Sequence, residues 1–539
     1  MLNKALIEKV IVQKPLYFYG LLFVSLFFLA LIAYWPSFSV PFYLDDRLSL
    51  VENKFLENAT IVDLWQFYKL RFVGYFSFWL NVNFLDRSLL SFHLFNYFIH
   101  FLNAILVFLI VKLLATHFKI SGSSKQILAF SFVVAGLWLL HPLNTQAVTY
   151  IVQRLASLVT LFYLITVYSY FKLRFEKFNL VYAVSLIVSI LLGALTKQNF
   201  FAVALFLLAY ELVFLKGSKH RALVQNLLCL GLIIALIYPF APAFFQQLSN
   251  LTAETKAISR FDYFVTQTSV LWIYIQKFLL PINLQLDMAV NLAKPSTGWN
   301  FIALVAHLFT ISLAIRLRKT IPLFTIGILF FYTGHAIESF LIPITDLAFE
   351  HRTYLPNIGL SLALCAVIFH FSNKDNNNLL IASIVIFIIF ILLTFHRNTL
   401  WQTPYDFYQN EFKLSPNSPR TQSSLAIELI KKKEYAQAEK LLTKAVNTNL
   451  SKGVITVTSL NNLMLLLFEQ KKYQAAVNTA MIALKYIKRP KEKSLILSTI
   501  SYGYIKMGWC GFASGLAKKA IKLDNTNQKA KQYVQYCMK

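Results

Sequence analysis

The chain has 539 residues, 57% of them hydrophobic and only 14% charged, with a mean hydropathy of +0.57; a water-soluble fold of this size cannot hide so much apolar surface, so the composition is that of a membrane protein. The net charge of +27 does not point to nucleic acid, because from Glu411 onward 22 Lys/Arg stand against 7 Asp/Glu and the remaining excess lies mostly in short loops between apolar segments. Loop cations follow from membrane topology, and the basic tail reads as a solvated surface facing anionic lipid.

A span needs about 20 apolar residues. Segments 16–36, 92–114, 126–141, 145–171, 179–196, 198–215, 222–241, 300–316, 321–342, 354–372 and 379–396 predict eleven spans. The first is too long for a signal-peptide core and reads as a retained helix. Lys4, Lys9 and Lys14 put the N-terminus in the cytoplasm by the positive-inside rule. With that start, Lys112/Lys119/Lys125, Lys172/Arg174/Lys177, Lys216/Lys219/Arg221, Arg316/Arg318/Lys319 and Lys374 fall on the same side. The stretch "YFVTQTSVLWIYIQKFLLP" (263–281) carries Thr266, Gln267, Gln276 and Lys277, and is expected to lie at the outer interface without crossing. The odd count sends loops 36–91, 239–300 and 343–354, together with the tail, to the extracytoplasmic face.

After Trp401 the composition becomes that of soluble helix with a repeat. In "KKKEYAQAEKLLTKAV", "EQKKYQAAVNTAMIAL" and "KMGWCGFASGLAKKAI", Tyr435, Tyr473 and Cys510 precede Ala438, Ala476 and Ala513 by three, and Ala445, Ala483 and Ala520 follow by seven. The period is slightly longer than that of the tetratricopeptide repeat (TPR), and small residues at such positions let paired helices stack into a solenoid. The fold expected is therefore all-α: a polytopic helix bundle over 1–400 and a TPR-like solenoid over 401–539. Four cysteines, Cys229, Cys365, Cys510 and Cys537, show no metal-ligand spacing. They read as independent buried thiols, although an extracytoplasmic tail would permit a Cys510–Cys537 disulfide.

"SVPFYLDDRLSLVENKFL" (39–56) sets Asp45 and Asp46 at the mouth of the first helix. Such a pair can simply cap the next helix. Alternatively, at an interface covered by the part-apolar loop that follows, a carboxylate can take a proton from an acceptor hydroxyl.

A first membrane helix followed by an acidic pair resembles the GT-C superfamily of polytopic glycosyltransferases. Further stretches resemble its transmembrane and TPR-containing O-mannosyltransferases and their bacterial relatives: "FHLFNYFIHFLNAILVF" (92–108), "HPLNTQAVTYIVQR" (141–154), "LTKQNF" (195–200), "DYFVTQ" with "LLPINLQLD" (262–287), "ESFLIPITDLAFEHRTYLPNIG" (338–359) and "RNTLWQT" (397–403). Two positions depart from that family, which commonly has Glu at Gln146 and at Gln198; a neutral amide cannot act as a base.

The resemblance implies a polyprenyl-phosphate sugar donor, an extracytoplasmic protein acceptor held by the repeats, and residence in a bacterial inner membrane. Asp45 is favoured as general base in an inverting displacement, with Asp46 holding the loop or a divalent cation (Mg or Mn). Arg352, then Lys197 and Arg154, would stabilise the leaving phosphate; the structural alternatives are an Arg352 salt bridge to Glu350 or Glu338 and an ordinary helix-end Lys197. His141, Gln267, Glu350 and His351 are candidates for acceptor or sugar contacts, although membrane histidines, His93 and His100 included, more often serve packing. Two other readings remain: a glycolipid or polysaccharide acceptor, and a non-catalytic scaffold.

Overall fold

In lipid a chain must satisfy its backbone N–H and C=O groups within its own segment, so apolar runs fold as helices. The computed structural model describes residues 15–121, 123–214, 259–292, 298–341, 343–344, 346–372, 376–451, 457–487 and 490–538, with isolated residues 231 and 242. The segment 222–241, the cations Lys4, Lys9, Lys14, Lys216, Lys219, Arg221 and Lys374, most of loop 239–300, and Cys229 lie outside the described residues. The chain divides into two units, residues 1–402 and 403–539.

The principal helices of the first unit are α1 (Pro15–Tyr34), α2 (Ile61–Tyr68), α3 (Phe72–Phe84), α4 (Leu89–His117), α5 (Ser124–Leu139), α6 (Arg154–Phe175), α7 (Leu180–Ala194), α8 (Ala202–Phe214), α9 (Arg260–Leu279), α10 (Gly298–Arg316), α11 (Pro322–His335), α12 (Pro356–Phe371) and α13 (Asn376–Gln402). Among the described residues, six helical stretches are long and apolar enough to cross a membrane: Gly20–Ser39, Leu89–His117, Ile151–Phe175, Gly298–Lys319, Pro322–Phe340 and Ile381–Gln402. Ser124–Leu139 and Pro142–Thr149, bent by 50°, qualify together as a seventh. Among the described residues the expected count of eleven is thus corrected to six or seven. Helices form at ten of the eleven expected segments, but α7, the 198–214 helix and α12 are short. Apolar loop residues at their ends extend the hydropathy signal beyond the helix itself.

α6 and α11 form the buried centre, whereas α1, α10 and α13 present apolar outer faces such as Phe28, Ile32, Phe309, Ile384 and Ile388. Soluble proteins do not leave such stripes exposed; against lipid they are stable. α11 and α12 pack through Gly327 and Gly359, where an added Cβ on either would run into the other's backbone oxygen.

Alternating helix directions gather two kinds of chemistry at opposite ends of the bundle. Lys112, Lys119, Lys125, Lys172, Arg174, Lys177, Arg316, Arg318 and Lys319 sit at one end. The opposite end carries loop 36–91, residues 141–154 and 195–201, the turn 336–353 and the end of α13. α9 does not meet the criterion for a span and touches that second end along its length: Tyr263 Oη donates to Glu338 O (2.5 Å), Gln267 Nε2 to Leu347 O (2.8 Å) and Tyr274 Oη to Phe349 O (3.1 Å).

The second unit begins with α14 (Pro404–Leu414) and continues as three hairpins, α15 (Pro419–Lys431) with α16 (Tyr435–Ser451), α17 (Val457–Glu469) with α18 (Tyr473–Tyr486), and α19 (Pro490–Lys506) with α20 (Cys510–Leu523), closed by α21 (Gln528–Tyr536). Each hairpin packs on its neighbours in sequence, which is the TPR-like arrangement. All six repeat alanines, Ala438, Ala445, Ala476, Ala483, Ala513 and Ala520, are fully buried. Tyr435, Tyr473 and Cys510 are the first residues of the second helices. Two residues earlier, at one repeat position, Lys433 (φ 64°), Lys471 (φ 60°) and Gly508 (φ 81°) all take the left-handed conformation that lets the hairpin turn. Cys510 and Cys537 are free thiols, partly buried, with sulfurs 2.8 Å apart, so the expectation of independent buried cysteines fails there: the last helix folds back onto the third hairpin.

Only Gly avoids the roughly 1–2 kcal/mol cost of that left-handed turn. Lys433→Gly and Lys471→Gly are each expected to stabilise the second unit by about 0.5–1 kcal/mol after the greater backbone freedom of unfolded Gly is deducted. Thermal melts of the full chain followed by a fluorophore on that unit would measure this, and a lowered melting temperature would refute it.

Candidate active site at one end of the bundle

The acidic pair divides its tasks. Asp46 is buried: its Oδ2 accepts from Tyr43 N (3.0 Å) and its Oδ1 from Val152 N (2.7 Å). Burial pushes its carboxyl up to about 7, helped by neighbouring Asp45 and opposed by these backbone donors. Asp45 is exposed; its backbone N donates to Tyr150 Oη (2.9 Å), and its carboxylate has no hydrogen-bond or ion-pair partner among the described residues. Thus the buried acid fixes the loop and the exposed acid is presented by it. The residue between them and α1 is also pinned: Tyr43 Oη donates to Trp401 O (2.5 Å).

Asp46 does not suit a divalent cation, because both carboxylate oxygens are turned onto backbone donors. Among the described residues no group of three His, Cys, Asp or Glu is arranged to hold a metal.

The second group of charges collects around Glu338, in the turn after α11. Lys197 Nζ lies 2.9 Å from Glu338 Oε1, both side chains largely buried. Arg352 acts electrostatically on Glu338 and on Tyr263 and Tyr274, its Nη1 reaches Leu347 O at 3.5 Å, and its guanidinium lies 5.9 Å from the Phe349 ring centre. His351 feels both cations; burial first, then Lys197 and Arg352, hold its imidazole well below the usual range, so it is neutral. Its Nδ1 is buried without a hydrogen-bond partner. A second carboxylate, Asp346, also acts on Arg352, so the cluster sets two cations among two carboxylates.

Glu350 takes a different partner from the one expected. Its Oε2 pairs with Arg397 Nη2 (2.5 Å) and its Oε1 accepts from Gln285 N (2.5 Å), so Arg352 is not tied to it. Burial raises the Glu350 carboxyl to about 7 against the pull of Arg397. Glu350 is fully buried and anchors its turn; it does not face a ligand.

Three further candidates are engaged by the fold itself. Arg154 is fully buried, with Nε donating to Asn96 Oδ1 (2.6 Å), Nη1 to Asn81 Oδ1 (2.5 Å) and Ser77 O (3.0 Å), and Nη2 to Phe92 O (3.1 Å), between the rings of Phe78 and Phe95. It clamps α3, α4 and α6 and offers nothing to a phosphate. His141 uses both nitrogens internally, donating from Nε2 to Phe278 O (2.9 Å) and accepting at Nδ1 from Leu143 N (3.2 Å), stacked on Phe278. Gln267 is buried, its Nε2 donating to Leu347 O (2.8 Å) while its Oε1 has no hydrogen-bond partner among the described residues.

Gln146 explains one departure from the family pattern. Its Oε1 accepts from His351 N (2.8 Å) while its Nε2 donates to Leu286 O (3.2 Å), and a carboxylate could not do the second. The segment 141–154 therefore touches both halves of the site: Val152 and Tyr150 hold the aspartate loop, and Gln146 holds the 350–353 turn. The end of α13 closes the other side. Asn398 bridges Ala33 O (3.1 Å) and Thr149 Oγ1 (2.6 Å), and Gln402 Nε2 donates to Pro36 O (3.1 Å). Arg397, Asn398 and Tyr150 were not singled out in the sequence, although polar residues inside "RNTLWQT" at the end of an apolar helix were the available signal.

With this geometry in view, sequence comparison is informative. A Caenorhabditis elegans protein, Protein O-mannosyl-transferase F38B6.6, is 26% identical over 434 residues, covering 74% of this chain and 58% of its own length. Protein O-mannosyl-transferase TMTC3 of Homo sapiens and of Mus musculus are each 22% identical, covering 77% of this chain and 50% of theirs. The chain resembles the TMTC protein O-mannosyltransferases. It spans about half the length of these curated relatives. No protein-family profile matches it. A superposition on a chain from the APC/C hetero-tetramer Cut9–Hcn1 covers 78% of this chain and 85% of that one at 12% identity, with a TM-score of 0.24, too low to carry weight.

Raised carboxyls have a thermodynamic consequence. Relative to unfolded carboxyls near 4, folded Asp46 and Glu350 retain protons until about pH 7. The folded state then binds more protons than the unfolded one, so stability falls as pH rises from about 4.5 to 7 and levels off above. The limiting slope is about 1.4 kcal/mol per pH unit for each group. Asp46→Asn should flatten the slope and lower the plateau by about 1–3 kcal/mol, since its amide nitrogen cannot accept from Tyr43 or Val152. Melting of the detergent-solubilised chain across pH 5–8 measures both; an unchanged slope in the variant would contradict the assignment.

Proposed function

We propose that the chain is a membrane glycosyltransferase that moves a sugar from a polyprenyl-phosphate donor to a hydroxyl of an extracytoplasmic protein. The observation that carries this reading is the exposed, unpartnered carboxylate of Asp45, held on a loop fixed by Asp46 at the same end of the bundle as Lys197 and Arg352. Similarity to proteins named O-mannosyl-transferases supports a sugar as the group transferred and a protein as the acceptor. In this reading residues 1–400 form the transferase domain, with loop 37–91 covering the site, and residues 401–539 form the acceptor-binding solenoid. The site end and the solenoid face the periplasm of a bacterial inner membrane, and the basic end faces the cytoplasm.

The proposed reaction is a GT-C-type single displacement. Asp45 takes the proton of the acceptor hydroxyl as its oxygen attacks the sugar carbon, and the bond to the donor phosphate breaks with inversion. Arg352 and Lys197 offset the negative charge that grows on the departing phosphate, inside a site where charges are strongly felt. Glu338 pairs with Lys197, and Glu338 and Asp346 together act on Arg352. His351, neutral and with a free Nδ1, contacts a hydroxyl of the sugar or acceptor. The step requires no metal, and the residues near Asp46 do not fit one.

Asp45→Asn is expected to lower transfer by about 10²–10⁴-fold while the protein still inserts and melts normally. Transfer of radiolabelled sugar from polyprenyl phosphate to envelope protein provides the readout; an undiminished rate would leave the scaffold reading standing. Ending the chain after Gln402 should impair a protein acceptor far more than a short hydroxyl-bearing peptide at saturating concentration. Equal losses on both would remove the solenoid from acceptor binding.

A further inference from the structure

The end of the bundle opposite the candidate active site opens into a cavity of about 1170 Å³, bounded by the ends of α4, α6, α8, α11 and α12 and by the turn before α11. Its floor is apolar, with Phe130, Leu323, Ala366 and Phe369, and its mouth carries Lys119, Arg318 and Lys319. The lining also contains one carboxylate, Glu211, which is already matched: Arg174 Nε lies 3.0 Å from it and Tyr170 Oη donates to it at 2.6 Å. Lys119, Arg318 and Lys319 have no carboxylate partner among the described residues; Arg318 only donates to Ile315 O (2.9 Å). Topology accounts for cations at this end. It does not account for three unmatched cations meeting over a recess with an aromatic floor.

We propose that this recess binds a membrane lipid with an anionic phosphate headgroup. Lys119, Lys319 and the Arg318 guanidinium take the phosphate, and the start of the lipid's chain lies against the half-buried lining residues Phe118, Phe175 and Phe214. Basic pockets between membrane helices suit such headgroups because the cations need a counter-charge and the apolar walls need covering. The volume accommodates a headgroup with the first part of its chain. A separate crevice of about 20 Å³ lies between Val111, Leu114, Phe171, Phe206 and Phe330. A free phosphate shares the headgroup chemistry but leaves the half-buried apolar lining, Phe118, Phe175 and Phe214, uncovered. The site stands apart from Asp45 and is independent of the transferase reading.

The test compares the full chain with Lys119→Gln/Lys319→Gln, both exposed side chains whose loss leaves the fold intact. Native mass spectrometry and melting in detergent would be run with phosphatidylglycerol, phosphatidylcholine or inorganic phosphate. Phosphatidylglycerol should be retained and raise the melting temperature where phosphatidylcholine does not. The double variant should bind it about 30-fold more weakly, given the roughly tenfold or less that each interfacial lysine contributes. Arg318→Gln, measured separately, should weaken it further. Equal retention of the two lipids, or undiminished binding in the double variant, would overturn the site. Inorganic phosphate alone producing the whole shift would overturn the lipid assignment.

Discussion

Residues 141–154 leave regular helix inside an apolar bundle, and the polar groups exposed by that break must be satisfied within the protein. Much of the unit's site end is built from the solutions. Asn96 Nδ2 reaches Val148 O (3.1 Å) and Ile151 O (3.2 Å), Asp46 takes Val152 N, and Gln146 joins Leu286 to His351. Arg154 then ties the first-loop helix α3 to α4. A charge buried this deeply is tolerated because its donors are matched and aromatic faces cover it. The same break that costs the helix its hydrogen bonds thereby fixes the positions of Asp45 and of the 350–353 turn.

Placement of the two acids shows how adjacent residues acquire opposite characters. Asp46 turns inward to the backbone of the broken segment, and desolvation favours its protonated form. Asp45, one residue earlier in the chain, points away from that contact and is open. A carboxylate that remains available while its neighbour holds the loop is suited to proton transfer, because its position does not depend on its own hydrogen bonds. Around Glu338 the charges are paired instead: Lys197 lies against the Glu338 carboxylate, and Glu338 and Asp346 both act on Arg352.

The solenoid follows simpler rules. Nearest-neighbour stacking of hairpins requires small residues where helices cross and a left-handed residue where each hairpin turns. Ala at the crossings meets the first need in every repeat, whereas the turn position is met without strain only by Gly508. The terminal helix α21 covers the apolar side of the third hairpin, with Ala530 buried against it.

The sequence by itself determined the helical class, the place of nearly every apolar helix and the repeat register, because these depend on local hydrophobic runs and on spacing within a few turns. It also located the acidic pair and the two cations that gather at Glu338. Tertiary structure decided which polar groups are spent on structure: Arg154, His141 and Glu350 have the residue types of a binding site, yet each is held by partners that other segments bring to it. No local signal distinguishes an arginine that grips phosphate from one that grips four oxygens of its own fold, since the difference lies in what other helices bring to it. Span count was likewise beyond reach of hydropathy alone, because windows measure how apolar a stretch is, while the length of a helix is set by where its backbone finds other partners.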